Sequence, residues 1–160
     1  AGKSDKTAEY TAKIESACAG LDYEILQTEA PGDATRMARE AAKTGEEIRL
    51  YACGGDGTLN EVAAGAAGFD NAAVTCFVGG SGNDFVKIFS EPKAFFDLER
   101  LLDAEVATFD LIRCNDDIAL NRSEDCIHVR DQRRLSASAL AYYTESFAFH
   151  DFKTYIIYCL

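Results

Sequence analysis

Apolar positions recur at three- and four-residue steps in "KTAEYTAKIESACAGL", where Tyr10, Ile14, Ala17 and Leu21 share one face, so residues 6–21 are predicted to be an amphipathic helix. "DYEILQT" is a short strand. "EAPGDATRMAREAAKTGE" follows with a turn at Pro31-Gly32, an Asp33 cap and a helix ending near Gly45. "EIRLYAC" and "AAVTCFV" are apolar strands, separated by "TLNEVAAGAAG", a helix of small residues. After "GGSG" come "NDFVKIF", a helical start, and "AFFDLERLLDAE", a further amphipathic helix. Strands alternating with helices at this spacing predict an α/β fold, a parallel sheet with helices on both faces.

The pattern changes after Thr108. "TFDLIRCNDDIALN" reads as two strands joined at Asn115-Asp116-Asp117, "LSASALAYYTESFAF" as helical, and "KTYIIYCL" as a β-rich run with no visible pairing partner. The expected organisation is therefore residues 1–107 as an α/β domain and residues 108–160 as the beginning of a β-rich second domain. A final strand without a partner, and an opening helix where such units open on a strand, predict a chain incomplete at both ends.

Two glycine clusters stand where strands turn into helices, Gly54-Gly55-Asp56-Gly57 and Gly79-Gly80-Ser81-Gly82. In an open parallel sheet ligands bind at the carboxyl ends of the strands, so both turns belong to one edge. Thr58 precedes Glu61 by three residues and Ser81 precedes Asp84 likewise, the spacing of a capping box at a helix start. Free amides at a helix start attract anions. Asp-Gly is also a hairpin-turn signal, and glycine-rich turns serve tight packing alone. Two such loops in succession favour a phosphate-bearing ligand. No G-x-x-x-x-G-K-[ST] supplies a lysine to the phosphates, and no G-x-G-x-x-G marks a dinucleotide site. Mg²⁺ would then neutralise a polyphosphate, which gives the carboxylate of Asp56 a reason to lie among the glycines.

Composition narrows this little further. The 160 residues carry 48% hydrophobic and 27% charged side chains, ordinary for a globular chain. No apolar window is long enough to span a bilayer, and the N-terminus lacks a signal-peptide core, which predicts a cytoplasmic protein, with peripheral contact at a membrane as a variant. A formal charge of −11 argues against nucleic-acid partners. The basic run "RDQRR", Arg130 to Arg134, reads as a solvated face. Cys18, Cys53, Cys76, Cys114, Cys126 and Cys159 form no C-x-x-C pair, and Cys53 and Cys76 read as small buried hydrophobes. His128 and His150 have no partner at metal-ligand spacing.

"GGDGTLNEV" and "GGSGNDFVK" resemble the two nucleotide loops of the diacylglycerol kinase catalytic family, the bacterial soluble lipid kinases and their sphingosine and ceramide kinase relatives. "TEAPGDATRMAREAA" and "ALAYYTESF" are similar to further segments of that family. The resemblance implies a Mg²⁺-dependent kinase that moves the γ-phosphoryl group of ATP to a hydroxyl of a lipid alcohol such as diacylglycerol. It implies ATP-site roles for Gly54, Gly55, Asp56, Gly57, Thr58, Leu59, Asn60 and Glu61, and for Gly80, Ser81, Gly82, Asn83 and Asp84. Thr28 matches a threonine that contacts ATP, and Gly2 and Lys3 match the end of a turn whose Asn-Pro and preceding strand are absent. Asp56 would be the catalytic carboxylate and the one that organises Mg²⁺. The second domain implied is a β-sandwich carrying the acceptor site, with transient peripheral membrane contact through "RDQRR" or "FAFHDF", and a homodimer is compatible with all of this.

Departures accompany the likeness. Val78 and Gly79 replace the usual proline and bulky residue before the second loop, and Ser81 replaces threonine. The general base and a further metal site of the family lie later in the second domain, so none is assigned here, and the likeness fades between Asn121 and Leu135. The alternatives are another GGDG-loop kinase, such as one resembling NAD kinase, and a nucleotide-binding regulatory module without catalysis. Asn60-Glu61 and Asn83-Asp84-Phe85 favour the lipid kinases over the former.

Overall fold

In a computed structural model of the chain, residues 3–79, 83–109, 111–114, 117–120, 135–138 and 153–159 are described. The helices are α1 (Lys3–Ala17), α2 (Asp33–Ala42), α3 (Asp56–Ala66) and α4 (Leu98–Leu102). The strands are β1 (Tyr23–Thr28), β2 (Ile48–Gly54), β3 (Ala72–Val78), β4 (Val106–Phe109), β5 (Leu111–Cys114), β6 (Asp117–Leu120), β7 (Leu135–Ser138) and β8 (Lys153–Cys159). One sheet has the order β1-β8-β2-β3-β7-β4, and β5 and β6 form a separate antiparallel pair. β1, β8, β2 and β3 run parallel, β7 is parallel to β3, and β4 is antiparallel to β7.

The uninterrupted apolar runs of β2 and β3 are explained by this placement, because helices cover the sheet on both sides. α2 and α3 lie on one face and bury Ala34, Ala38, Ala41 and Ala42 with Leu59, Val62, Ala63 and Ala66. Their small side chains let the two helices approach closely. On the opposite face Tyr10 of α1 meets Phe77 edge-on at 5.8 Å between centroids and Tyr158 at 6.4 Å. Alternation along β2 sends Arg49 and Tyr51 to that same face, where they donate to the carbonyls of Leu102 (2.9 Å) and Leu101 (3.3 Å). These bonds satisfy the carbonyl end of the short α4.

Four expectations are corrected. "KTYIIYCL" has partners on both sides: β8 pairs with β1 from Tyr23↔Thr154 to Thr28↔Cys159 and with β2 from Ile48↔Lys153 to Cys53↔Tyr158. Ile156 and Ile157 are fully buried there. Leu135–Ser138, expected in a helix, is a strand because it pairs with both β3 and β4, and tertiary pairing overrides weak local preference. "AFFDLERLLDAE" is broken into a 3₁₀ turn (Pro92–Phe96) and α4, since Asp97 acts as a cap, its carboxylate accepting from the Arg100 amide at 3.3 Å. "NDFVKIF" holds only a 3₁₀ turn, Phe85–Ile88. Among the described residues no helix is long and apolar enough to cross a membrane. His128, His150, "RDQRR", "FAFHDF" and the segment "ALAYYTESF" lie outside the described residues, and of the helical reading "LSASALAYYTESFAF" only Leu135–Ser138 is described.

The reading of Cys53 and Cys76 as buried hydrophobes agrees with the fold, in which Cys18, Cys53 and Cys76 are free and buried. Burial pushes the Cys18 thiol up to about 11 and those of Cys53 and Cys76 up to about 12. The thiolate is the reactive form. At about pH 8 we therefore expect these three to be alkylated by iodoacetamide more than roughly tenfold slower in the folded protein than in urea. Peptide mapping by mass spectrometry reads the result, and equal rates at Cys53 in both states would contradict the burial.

Candidate functional site

Because β1, β2 and β3 are parallel, the loops that follow them emerge at one edge of the sheet. These loops are Glu29–Gly32, Gly54–Gly55 and the one that follows β3, of which Gly79, Asn83 and Asp84 are described. The first two turns of α3 connect all three. Asp56, the first residue of α3, accepts from the Asp84 amide through Oδ2 (3.0 Å) and from the Phe85 amide through Oδ1 (3.2 Å). Gly79 donates its amide to the Gly54 carbonyl at 3.1 Å, closing the second loop against the third. Glu61, one turn further along α3, accepts from the Gly32 amide at 3.0 Å, and its carbonyl accepts from Thr35 Oγ1 at 3.0 Å.

The glycines of the second loop serve two different needs. A Cβ on Gly54 would collide with Thr58, whose Cβ would lie 2.9 Å away, so Gly54 is required by packing inside the chain. Gly57 has no such reason. It is exposed, its φ is ordinary, and beyond its chain neighbours and its own helix backbone no atom lies within 4 Å of where a Cβ would stand. Gly57 therefore keeps a path to the backbone of α3's first turn open from outside. Its N-cap Gly55 offers no capping side chain, and among the described residues Leu59 is the first amide that returns to the loop, donating to the Gly55 carbonyl at 3.1 Å. The amides ahead of it have no acceptor within the helix and lie at the positive end of its dipole.

The capping-box expectation is corrected by the same geometry. Thr58 and Glu61 lie inside α3, whose N-cap is Gly55, so neither caps it. Thr58 is buried against Gly54, and Glu61 reaches across to the first loop. Asp33 is likewise the first residue of α2 and not its cap. Its carboxylate accepts from the amides of Glu29 and Ala30, each at 2.9 Å, and these bonds, with Arg36, hold it below the usual carboxylate range.

The other expected site residues fall in different settings. Thr28 ends β1 and is buried, and Leu59 points into the core at 3% exposure. Asn60 is half-buried on α3. Asn83 has a left-handed backbone, φ 50, and Asp84 pairs with Lys87 at 2.7 Å. Lys3 opens α1 by its backbone, and Gly2, Gly80, Ser81 and Gly82 lie outside the described residues. Gly32, Thr35 and the Phe85 amide were not foreseen as parts of this edge. The turn signal Pro31-Gly32-Asp33 was legible, but its contact with α3 depends on residues far away in sequence.

A family profile described as the diacylglycerol kinase catalytic domain matches residues 1–114. The chain belongs to that family. Two Staphylococcus aureus proteins, from strains Mu3 and Newman, both bearing the name "Putative lipid kinase", are each 32% identical to it over 119 residues. The aligned part is 71% of this chain and 38% of each relative, so the chain spans well under half of their length. In this diacylglycerol kinase catalytic domain the matched residues contain all three loops and the whole of α3.

A phosphate would find the α3 first-turn amides beside Gly57 at the positive end of the helix dipole. A divalent cation finds one carboxylate in the loop, Asp56, whose two oxygens already accept amides but retain further lone pairs. Among the described residues no cluster of three His, Cys, Asp or Glu could hold a metal by itself. A Mg²⁺ ion here would thus be held chiefly by nucleotide phosphates with Asp56 in support, the usual manner of that ion.

Proposed function

We propose that this edge of the sheet binds the phosphates of Mg²⁺-ATP, and that the protein is a lipid kinase passing the γ-phosphoryl group to a hydroxyl of a lipid alcohol such as diacylglycerol. The observation that carries the reading is Gly57: it is a glycine that no packing contact requires, in the first turn of a helix whose N-cap is a glycine, inside a cluster whose Gly54 is needed for packing. Membership of the family supports the transfer chemistry, and the relatives' names support a lipid acceptor. In such a transfer the protein mainly positions the phosphates and stabilises their charge. The α3 amides would receive phosphate oxygens, and Asp56 would orient the loops around them. Mg²⁺, when bound with the nucleotide, would neutralise the charge that no loop lysine meets.

Thermal unfolding with ATP, with and without Mg²⁺, tests this. At about 100 times the dissociation constant the ligand adds roughly 2.7 kcal/mol, which moves Tm by roughly 5–11 °C for a chain of this size. Gly57→Ala is expected to leave the free protein's stability within about 1 kcal/mol of wild type, since helix propensity favours alanine. The same variant should weaken Mg²⁺-ATP by at least about tenfold, or 1.4 kcal/mol. Absence of any shift in folded wild type would remove the nucleotide reading. Transfer of label from γ-labelled ATP to diacylglycerol in vesicles, against other lipid alcohols, then tests the acceptor.

A further inference from the structure

Every amide of the first loop that can donate is engaged by a carboxylate. Glu29 and Ala30 donate to Asp33, Pro31 has no N–H, and Gly32 donates to Glu61. Asp33 closes the loop on itself, whereas Glu61 alone among these contacts ties it to α3. Gly32 has φ 90, so the turn depends on a residue free to adopt a left-handed backbone, and such a turn has little local rigidity of its own. The bond from Thr35 Oγ1 to the Glu61 carbonyl, and the close approach of α2 to α3 at Gly65, fix the Glu61 backbone relative to α2.

We propose that Glu61 is a positioning residue, acting as a neutralisable hydrogen-bond acceptor that locks the Glu29–Gly32 loop against the first turns of α3 so that the nucleotide meets a preformed edge. The inference rests on the proposed function for its consequence, but not for the lock itself. A carboxylate committed to the Gly32 amide does its work by accepting a hydrogen bond. Its negative charge is incidental, and close to bound phosphates it would even be unfavourable. A residue acting through its charge, on a cation or on the ligand, would behave in the opposite way when neutralised.

The test compares wild type, Glu61→Gln and Glu61→Ala in the purified protein. Two quantities are measured: the exchange rate of the Gly32 amide by NMR without ligand, and the Mg²⁺-ATP dissociation constant. Alanine should speed Gly32 exchange by about tenfold and weaken Mg²⁺-ATP by about fivefold or more, while glutamine restores both to near wild type. If glutamine weakens ATP as much as alanine does, the charge matters and the positioning role is overturned. It is equally overturned if alanine leaves ATP affinity unchanged. If wild type binds no Mg²⁺-ATP, the kinase reading fails by itself, and Gly32 exchange still decides the lock: faster in alanine and restored in glutamine supports it, unchanged in alanine rejects it.

Discussion

Gly65→Val is expected to destabilise the protein by roughly 3 kcal/mol, the upper range of overpacking in a close-packed core. Gly65 lies inside α3, where glycine costs about 1 kcal/mol relative to alanine and so needs a reason. The reason is α2. A Cβ at this position would strike the Thr35 carbonyl oxygen and stand 2.8 Å from the Ala38 Cβ. The first of these is backbone and cannot rotate away, so the helices must separate. Separation would also pull Thr35 Oγ1 from the Glu61 carbonyl and strain the Gly32 contact. The expected fall in Tm is roughly 6–12 °C, read by calorimetry or circular dichroism. Gly65→Ala should show the same sign with a smaller size. An unchanged Tm in Gly65→Val would mean that α2 and α3 do not pack as closely as described.

Asp56→Ala is expected to have the largest effect on the proposed function, lowering the proposed phosphoryl transfer by roughly 10²–10³-fold, the range seen when one preorganised electrostatic contact is removed. The structure adds a second consequence. The Asp84 and Phe85 amides would lose their acceptor, at a cost of about 1–3 kcal/mol in the protein without ligand. Asp56→Asn should lie between the two, because an amide side chain offers one acceptor oxygen and turns its NH₂ toward the other N–H. Stability of the free protein and the Mg²⁺-dependent ATP shift are therefore measured together for both variants. Lost stability with an intact ATP response would assign Asp56 to bracing alone. An intact stability with a lost ATP response would instead show that the Asp84 and Phe85 contacts contribute little.

The question posed by a carboxylate among glycines has a structural answer as well as a chemical one. From the residues alone, Asp56 is intelligible only as the partner of a cation. In the fold it accepts two amides from a loop 28 and 29 residues away, and so holds the second and third loops in one arrangement. Those amides could not be foreseen, because no pattern around Asp84 or Phe85 marks their N–H groups as donors to Asp56. Gly57 shows the reverse case. Both glycines were legible as a cluster, but only the position of Thr58 separates Gly54, needed for packing, from Gly57, left open.

What the sequence determined by itself was the α/β class, the parallel core strands β2 and β3, the helix between them, the buried thiols of Cys53 and Cys76 and the glycine turn that leads into α3. These follow from local periodicity and from residue chemistry, since an apolar run flanked by glycine turns has few places to go other than a covered sheet. Only the tertiary structure decided that Lys153–Cys159 lies between β1 and β2, that Leu135–Ser138 is a strand beside β3, and that Glu61 holds Gly32 across 29 residues of sequence. Periodicity tells which side of an element is buried, but not which partner buries it. That choice is made by backbone hydrogen bonds and side-chain contacts between segments distant in sequence, and they exist only once the chain has closed.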